Sequence, residues 1–206
     1  MRLLISPHVV ILYNCAEVAL GCSSCTSFRL VEGYRCGWCG GPTLDTDGCT
    51  LLEECSDAVV NEGSNCPAPV ITDFNPKSGP IEGGTTITIT GRELGISFND
   101  FDANSITVGN VRCALVNKSY IPGRQILCTT EKLMSLTNTI LIRLHSEAIT
   151  SNQLFRVATP EITRVVPARG PVAGGTRLTL WGSNLNIGNI EDTRITIANR
   201  TECVVE

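Results

Sequence analysis

The chain has few of the residues that acid–base catalysis commonly uses. Only two of its 206 residues are histidines, His8 and His145, and charged residues make up 17%. Two imidazoles far apart in the sequence leave little material for proton transfer or a histidine metal site. The formal net charge of −4 disfavours nucleic acid as a partner, because nucleic-acid-binding domains present basic faces. No apolar run in the sequence reaches the roughly 18 to 20 residues that a membrane span needs.

Cysteine, by contrast, is abundant. Eleven cysteines are present, and eight of them lie between Cys15 and Cys66. Such density predicts a disulfide framework formed in an oxidising compartment, and disulfides would replace the aliphatic core that this segment lacks. Two N-glycosylation sequons, at Asn117 and Asn199, indicate the same compartment. The sequence therefore predicts an extracellular location.

A ten-residue motif occurs twice, 91 residues apart. Residues 76–85 read Pro-Lys-Ser-Gly-Pro-Ile-Glu-Gly-Gly-Thr, and residues 167–176 read Pro-Ala-Arg-Gly-Pro-Val-Ala-Gly-Gly-Thr. Each copy is followed by an alternating stretch, then a glycine and a leucine. A repeat of this period indicates two tandem copies of one domain.

Short alternating segments from Val70 to Val157 predict β-strands. Their bounds are 85–90, 105–108, 111–116, 125–129, 139–145 and 154–157. About seven short strands in about 90 residues predict an immunoglobulin-like β-sandwich. Cys113 and Cys128 fall in neighbouring predicted strands, and a bond between them would close a loop of about 15 residues, worth about 3 kcal/mol.

Both ends of the chain are expected to lie inside domains. The repeat period places the equivalent of Cys113 next to Cys203, so the equivalent of Cys128 would lie beyond Glu206. We therefore expect the second copy to be incomplete, with Cys203 unpaired by truncation. Val9–Tyr13 is interpreted as the closing strand of an upstream domain. A signal peptide is the alternative, disfavoured because Pro7-His8 interrupts the apolar run.

The eight clustered cysteines resemble those of the PSI domain of plexins, semaphorins and integrins. Their spacing is Cys-x6-Cys-x2-Cys-x10-Cys-x2-Cys-x9-Cys-x5-Cys-x10-Cys, with Gly37-Trp38 between the fourth and fifth. The doubled motif resembles the IPT/TIG domain, an immunoglobulin-like domain shared by plexins and transcription factors. A PSI domain followed by tandem IPT/TIG domains is the stalk pattern of plexin ectodomains, and it occurs once in the related scatter-factor receptor tyrosine kinases.

This resemblance implies a mainly β chain in four parts. Residues 1–14 would be the upstream remnant, 15–66 a PSI domain (here the cysteine-rich region), 67–158 an IPT/TIG domain (the first repeat) and 159–206 an incomplete second one (the second repeat). The resemblance also implies a disulfide pairing, whereas spacing alone leaves 105 connectivities open. The implied pairs are Cys15 with Cys36, Cys22 with Cys66, Cys25 with Cys49, and Cys39 with Cys55.

The function implied by the resemblance is that of a non-catalytic stalk segment of a cell-surface semaphorin receptor, without cofactor or metal. Its partners would be neighbouring domains of the same receptor, a semaphorin-type ligand bound through a distal head absent from this chain, and a second receptor copy. The segment would lie in the extracellular part of a single-pass plasma-membrane protein and meet the membrane only through an absent transmembrane segment. The alternatives are a scatter-factor-type receptor tyrosine kinase stalk and, less favoured because of the acidic charge, a Rel-type DNA-binding factor.

Several patterns admit a chemical interpretation that we weigh against a structural one. The pairs Cys22-x2-Cys25 and Cys36-x2-Cys39 have the spacing of a zinc site, and Cys36-Gly-Trp-Cys39 resembles a redox pair. We favour disulfides packed around Trp38, since the segment is crowded with further cysteines and offers no strand-to-helix frame.

Two acidic loops and the repeated motif also resemble ligand-binding sites. Asp45-Thr-Asp-Gly48 resembles the start of a calcium loop but lacks its third ligand and flanking helices. Asn99–Asn104 is a second candidate for a cation, and we favour a solvated loop. The Gly-rich motif lacks the Lys-Ser/Thr of a phosphate loop and leads into a strand, which favours a turn.

Overall fold

A computed structural model of the chain describes most of its residues. The described residues are 2–6, 9–19, 21–27, 36–39, 48–54, 59–60, 66–144, 147–189, 191, 193–198 and 201–205. Within them the chain is mainly β, which confirms the predicted fold class. None of the helices among these residues is long and apolar enough to cross a membrane.

The amino-terminal residues form a two-stranded hairpin. Strand β1 (Arg2–Ser6) pairs antiparallel with β2 (Val9–Tyr13), and Leu4 stands opposite Ile11. The predicted strand at Val9–Tyr13 is therefore present. Its assignment to an upstream domain stays a prediction.

The cysteine-rich region combines two short helices with a small sheet. Its elements are α1 (Cys15–Val18), α2 (Cys22–Ser27), β3 (Cys36–Cys39), β4 (Gly48–Leu51) and β5 (Val59–Val60), and β3 lies between the other two strands. The sequence of residues 50–58, with Glu53 and Glu54 near its start, predicts a short helix. This prediction is wrong at its first two residues, since Thr50 and Leu51 continue β4 by pairing with Gly37 and Cys36. A 3-10 helix follows at Leu52–Glu54, and 55–58 lie outside the described residues.

The buried residues of this region are mostly half-cystines. Trp38 is 8% exposed and belongs to one cluster with the cysteines and two aliphatic side chains: Cys15, Ala19, Cys22, Cys25, Cys36, Cys49 and Leu51. The indole thus supplies apolar contact area in a region that has few aliphatic residues. This arrangement agrees with the structural interpretation of the Cys-Gly-Trp-Cys segment.

The first repeat forms a curled sheet that closes over one core. Its strands are β6 (Val70–Asn75), β7 (Ser78–Pro80), β8 (Thr86–Arg92), β9 (Ile106–Val108), β10 (Val111–Ile121), β11 (Gln125–Thr130), β12 (Thr137–Leu144) and β13 (Glu147–Ala158). Among the described residues their order is β6-β8-β11-β10-β9-β12-β13-β7, with only β7 and β13 parallel. Strand β10 pairs with β9 at its start and with β11 further on, so it belongs to both halves of the sandwich.

Alternation along β8 shows how the sequence builds this core. Ile87 and Ile89 are fully buried, whereas Thr86, Thr88 and Thr90 on the opposite face are half-buried. Burying an isoleucine side chain contributes about 1.5–3 kcal/mol. The same core contains Ile71, Phe74, Leu94, Ile106, Val108, Cys113, Ile126, Cys128, Leu133, Ile140, Ile142 and Phe155.

The second repeat reproduces the start of this fold. Strand β14 (Glu161–Val166) pairs with β15 (Thr179–Ser183), as β6 pairs with β8, and β16 (Ile195–Ile197) pairs with β17 (Thr201–Cys203). Ile162 and Val165 occupy the positions of Ile71 and Phe74 in the repeat register, yet they are 51% and 39% exposed. The face that is buried in the first repeat is therefore accessible in the second.

The repeated motif forms a tight turn in both copies. Gly83 and Gly84 have φ of 82° and 81°, and Gly174 and Gly175 have φ of 85° and 79°. Glycine adopts this left-handed region without the steric penalty that other residues meet. The turn feeds a strand in each copy, as the sequence predicts, and leads into no helix.

Candidate functional site at the domain joints

Disulfides hold both the cysteine-rich region and the first repeat. Among the described residues the bonded pairs are Cys15–Cys36, Cys22–Cys66, Cys25–Cys49 and Cys113–Cys128, with Cα–Cα distances of 5.7, 5.7, 5.7 and 5.3 Å. Cys39 is also disulfide-bonded, and Cys55, its predicted partner, lies outside the described residues. The Cys113–Cys128 bond joins the adjacent strands β10 and β11 inside the core.

The same bonds bear on the zinc and redox interpretations. The sulfur atoms of Cys15, Cys36 and Cys49 lie within 4.8 Å of one another. Each of them is nevertheless half of a disulfide, and a disulfide sulfur is not the thiolate that a metal binds. This sulfur cluster is therefore part of the framework that packs around Trp38.

The acidic loop at 99–104 uses its carboxylates on its own backbone. Asp100 Oδ2 accepts hydrogen bonds from the N–H groups of Ile96 (2.7 Å) and Ser97 (3.0 Å). Asp102 Oδ1 accepts from the N–H of Asn104 at 2.8 Å and from the hydroxyl of Ser105 at 3.1 Å. These donors explain the acidic residues without a cation. In the other candidate loop, residues 45–47 lie outside the described residues, and Gly48 begins β4.

The remaining predicted site residues lie apart from one another. Asn117 is exposed on β10, where the register with β11 shifts between Val116 and Ile121. Asn199 lies outside the described residues. Cys203 at the end of β17 carries no disulfide and is partly exposed. The structure thus does not bring these residues together into one site.

Residues that sequence reasoning did not single out meet where the cysteine-rich region joins the first repeat. Helix α2 begins at Cys22, and the carboxylate of Glu93 lies against its first turn. The N–H of Cys22 donates to Glu93 Oε1 at 2.7 Å, and the N–H of Ser23 donates to Oε2 at 3.0 Å. Glu93 is only 9% exposed. A polar group so far removed from water is costly to bury unless hydrogen bonds such as these satisfy it.

Two glycines allow the close approach at this joint. A Cβ atom added at Gly21 would lie 2.9 Å from Oε1 of Glu93, so a larger residue there would displace the carboxylate. Across the contact, a Cβ at Gly123 would lie 3.9 Å from the Cα of Gly21. Backbone thus approaches backbone at Gly21 and Gly123, beside the Glu93 side chain.

The loop that carries Glu93 is braced by its own repeat. The N–H of Leu94 donates to the carbonyl of Gly123 at 3.1 Å, and the N–H of Gly123 donates to the carbonyl of Gly95 at 2.6 Å. The Tyr120 hydroxyl also donates to the Gly95 carbonyl, at 3.1 Å. These hydrogen bonds within the first repeat hold the loop in place, so they also fix the position from which the Glu93 side chain extends.

Tyr120 itself is held between two aromatic rings. Phe98 and Phe101 contact it edge-on, with ring centroids 5.8 and 6.1 Å away. Burial, followed by the nearby Asp100 carboxylate, raises the pKa of Tyr120 to about 12. The hydroxyl therefore stays protonated, and able to donate to Gly95, throughout the physiological pH range.

A disulfide bond lies beside the hydrogen bonds that Glu93 accepts. Cys22, whose N–H binds Glu93, is disulfide-bonded to Cys66, where the linker to the first repeat begins. Cys66-Pro-Ala-Pro69 then leads directly into β6, and proline fixes the φ angle at two of its positions. The start of α2 is thus attached to the first repeat by a short stiff linker on one side and by Glu93 on the other.

The joint between the two repeats is shorter. Strand β13 ends at Ala158 and β14 begins at Glu161, so only Thr159-Pro160 separates them. The side-chain amide of Asn184 donates to the Thr159 carbonyl at 3.1 Å. Nearby, a Cβ atom placed on Gly188 would lie 3.8 Å from Thr85 Oγ1 in the turn of the first repeat.

Sequence reasoning missed Glu93 because a single glutamate between glycines resembles any solvated loop residue. The signal that does exist lies in the repeat register, which aligns Glu93 with Asn184. Asparagine is enriched at left-handed backbone positions, and both residues adopt that conformation, with φ of 56° and 55°. The register therefore marks an unusual backbone position, although it does not reveal the partner of the side chain.

Comparison with known proteins shows which family this chain belongs to. A sequence model of the IPT/TIG domain matches residues 69–157 and 160–206. Human Plexin-B1 is 33% identical over 195 residues, which is 93% of this chain and 9% of that protein. Mouse Plexin-B2 is 36% identical over 199 residues, 95% of this chain and 10% of that protein. The chain thus spans about a tenth of these curated relatives.

A solved structure agrees with the sequence comparison. The full extracellular region of plexin A4, determined for domains 1 to 8, matches with a TM-score of 0.66 and 32% identity. That match covers 88% of this chain and 20% of the solved one. The disulfide-rich amino-terminal part fits a PSI domain. The chain belongs to the IPT/TIG domain family and is homologous to a segment of the extracellular region of plexins.

Proposed function

We propose that this chain is a non-catalytic stalk segment in the extracellular part of a plexin-like semaphorin receptor at the plasma membrane. Its role is to space and orient neighbouring domains so that ligand binding elsewhere in the receptor is converted into signalling. The observation that carries this proposal is the buried contact of Glu93 with the N–H groups of Cys22 and Ser23. The plexin relatives favour this assignment over a receptor tyrosine kinase stalk.

The physical argument concerns freedom of rotation. Domains within one chain generally move relative to each other unless their interface is large and apolar. Here a disulfide at Cys22 and two hydrogen bonds to Glu93 act at adjacent points, and the linker between them contains two prolines. A hinge would gain nothing from burying a carboxylate, because an exposed glutamate costs no desolvation. The contact therefore supports a joint of defined angle.

The remaining parts of the proposal follow from this role. We propose residues 15–66 as the PSI domain, 67–158 and 159–206 as IPT/TIG domains, and 1–14 as part of an upstream domain. A semaphorin-type ligand binds a domain outside this chain, and pairing of two receptor copies reads out the orientation that the stalk imposes. The cysteine framework and the sequon at Asn117 fit an extracellular location.

The proposal can be tested in human Plexin-B1 with this chain replacing the matching segment. One version keeps the joint, and another carries Glu93→Ala together with Pro67→Gly and Pro69→Gly. We expect both chimeras to bind semaphorin equally at the cell surface. Only the first should give semaphorin-dependent cell collapse, because the second no longer transmits a fixed orientation.

A matched control is Glu82→Ala, which removes an exposed carboxylate that lies 3.3 Å from the Lys132 ammonium. That chimera should respond to semaphorin as the unaltered one does. A full response from the loosened joint would contradict the orienting role. Loss of response in the Glu82→Ala chimera would show that the assay reports something other than joint rigidity, and it too would count against the proposal.

A further inference from the structure

We propose that one loop, used in both repeats, is the element with which each IPT/TIG repeat packs on the part of the chain before it. We call it the docking loop: residues 93–97 in the first repeat and 184–188 in the second. The side chain at its first, left-handed residue matches the chemistry of the surface that it meets. The proposal rests on the proposed stalk function for its biological role, while the contacts that carry it do not.

The docking loops are equivalent by sequence and by backbone. The 91-residue period of the repeated motif aligns Glu93 with Asn184 and Leu94 with Leu185. Each loop follows the strand that leaves the Gly-Gly-Thr turn, β8 or β15, and each begins with a non-glycine residue at positive φ, 56° and 55°. A side chain at such a position projects in a direction that an ordinary strand or turn residue does not offer.

In the first repeat the docking loop meets backbone donors. Glu93 reaches across to Cys22 and Ser23 of the cysteine-rich region, 70 and more residues earlier in the chain. Two N–H groups that point the same way suit a carboxylate, which offers two acceptor oxygens. Gly21 leaves room for it, since any Cβ there would press against Oε1.

In the second repeat the docking loop meets a different surface. Asn184 donates its amide N–H to the carbonyl of Thr159, in the two-residue linker that joins the first repeat to the second. At the far end of the loop, a Cβ atom on Gly188 would lie 3.9 Å from Cδ of Pro80 and 3.8 Å from Thr85 Oγ1. The second repeat thus packs on the glycine-rich turn of the first.

The two side chains are not interchangeable. A carboxylate has no proton to donate, so a glutamate at 184 would place negative charge towards the Thr159 carbonyl instead of a hydrogen bond. An asparagine at 93 is shorter by one methylene and brings at most one acceptor to two N–H donors. We therefore assign the specificity of each joint to this one position.

The test uses the whole 206-residue chain, secreted with its disulfides intact and carrying pairs of ketone-linked spin labels. Label sites are exposed residues of the three parts: Ala16, Asn152 and Val172. Electron–electron distance measurements on the parent chain should give one narrow distribution for each labelled pair. Glu93→Asn should lose the narrow distribution between labels 16 and 152 and keep the one between labels 152 and 172.

The reciprocal variant, Asn184→Glu, should broaden only the distribution between labels 152 and 172. The unaffected pair in each variant serves as its folding control. Should Glu93→Asn fail to be secreted, Glu93→Gln keeps the side-chain length and one acceptor oxygen, and it should broaden the first distribution to an intermediate width. Narrow distributions in all variants, or broadening of both pairs by one variant, would overturn the docking-loop assignment. The stalk function is tested separately. If the Plexin-B1 chimera with Glu93→Ala, Pro67→Gly and Pro69→Gly failed to signal, the stalk function would still be supported even though the docking-loop assignment was wrong.

Discussion

Replacing Glu93 by alanine should loosen one joint while leaving the fold of the first repeat intact. The carboxylate accepts two hydrogen bonds, at 2.7 and 3.0 Å, from amides of the cysteine-rich region. Hydrogen bonds to charged groups contribute about 1.5–3 kcal/mol each. Water that enters the opened site offsets part of this loss, so we expect the free energy of opening at the joint to fall by about 2–3 kcal/mol.

Amide hydrogen exchange measures this opening directly, because local opening governs the exchange of protected amides. A change of that size corresponds to roughly 30- to 140-fold faster exchange, at 1.4 kcal/mol per tenfold. The acceleration should be confined to the amides of Cys22 and Ser23. Amides in β8 and β11 should exchange as before, since Glu93 contributes nothing to the core between those strands.

The matched control removes an exposed carboxylate instead. Glu82→Ala breaks an ion pair with Lys132 in which both side chains are about two-thirds exposed, and such pairs contribute at most about 1 kcal/mol. It should leave the exchange of Cys22 and Ser23 unchanged. Unaltered exchange of the Cys22 and Ser23 amides in Glu93→Ala would refute the role of Glu93 at this joint. Equal acceleration in the core strands would refute it as well, since Glu93 would then stabilise the repeat itself.

Further predictions test the surroundings of this contact. Gly21→Ala should weaken the joint nearly as much as Glu93→Ala does, because the new Cβ would lie 2.9 Å from Oε1; exchange of the Cys22 amide reports it. Ile89→Ala should destabilise the first repeat by about 2–5 kcal/mol in chemical denaturation, whereas Thr88→Ala on the solvent side should cost far less. Tyr120 should titrate near pH 12 by ultraviolet absorbance, and since the unfolded phenol titrates near 10, folding favours its neutral form. The stability it contributes is therefore complete below about pH 10 and is lost between about pH 10 and pH 12, and Tyr120→Phe should abolish that loss.

The strands of the first repeat could be predicted because their pattern reports burial directly. Threonine and isoleucine alternate along β8, and the structure buries only the isoleucines. Strand ends were less accurate: β10 extends to Ile121, and β13 begins at Glu147 instead of 154. The start of β13 pairs with β12 over positions that lack apolar alternation, and β10 pairs with β11 again only at Ile121, after a register shift. Pairing with the neighbouring strand determines these strand ends, and the local sequence does not.

The buried residues and short elements of the cysteine-rich region could not be predicted from sequence patterns, for a related reason. Its buried residues are mainly half-cystines, whose burial follows from which partner they find and not from a periodic pattern. Short elements such as α2 carry no amphipathic signal, and β4 gains its strand geometry from pairing with β3. Glu93 is harder still, since its function depends on N–H groups about 70 residues away that no local pattern describes.

The chemistry of the joint between the cysteine-rich region and the first repeat explains how a small contact can fix the angle between them. An apolar contact of similar size is non-directional and tolerates sliding, because its free energy depends on the area removed from water. Hydrogen bonds weaken steeply when their angles depart from linearity, so two of them to one carboxylate resist rotation of α2 about the linker. The disulfide at Cys22 and the backbone contact at Gly21 add two further fixed points beside them. Contacts at more than one point restrict the rotation of one rigid body on another more than a single contact does. A joint with so few residues can therefore serve the orienting role that we propose for the stalk.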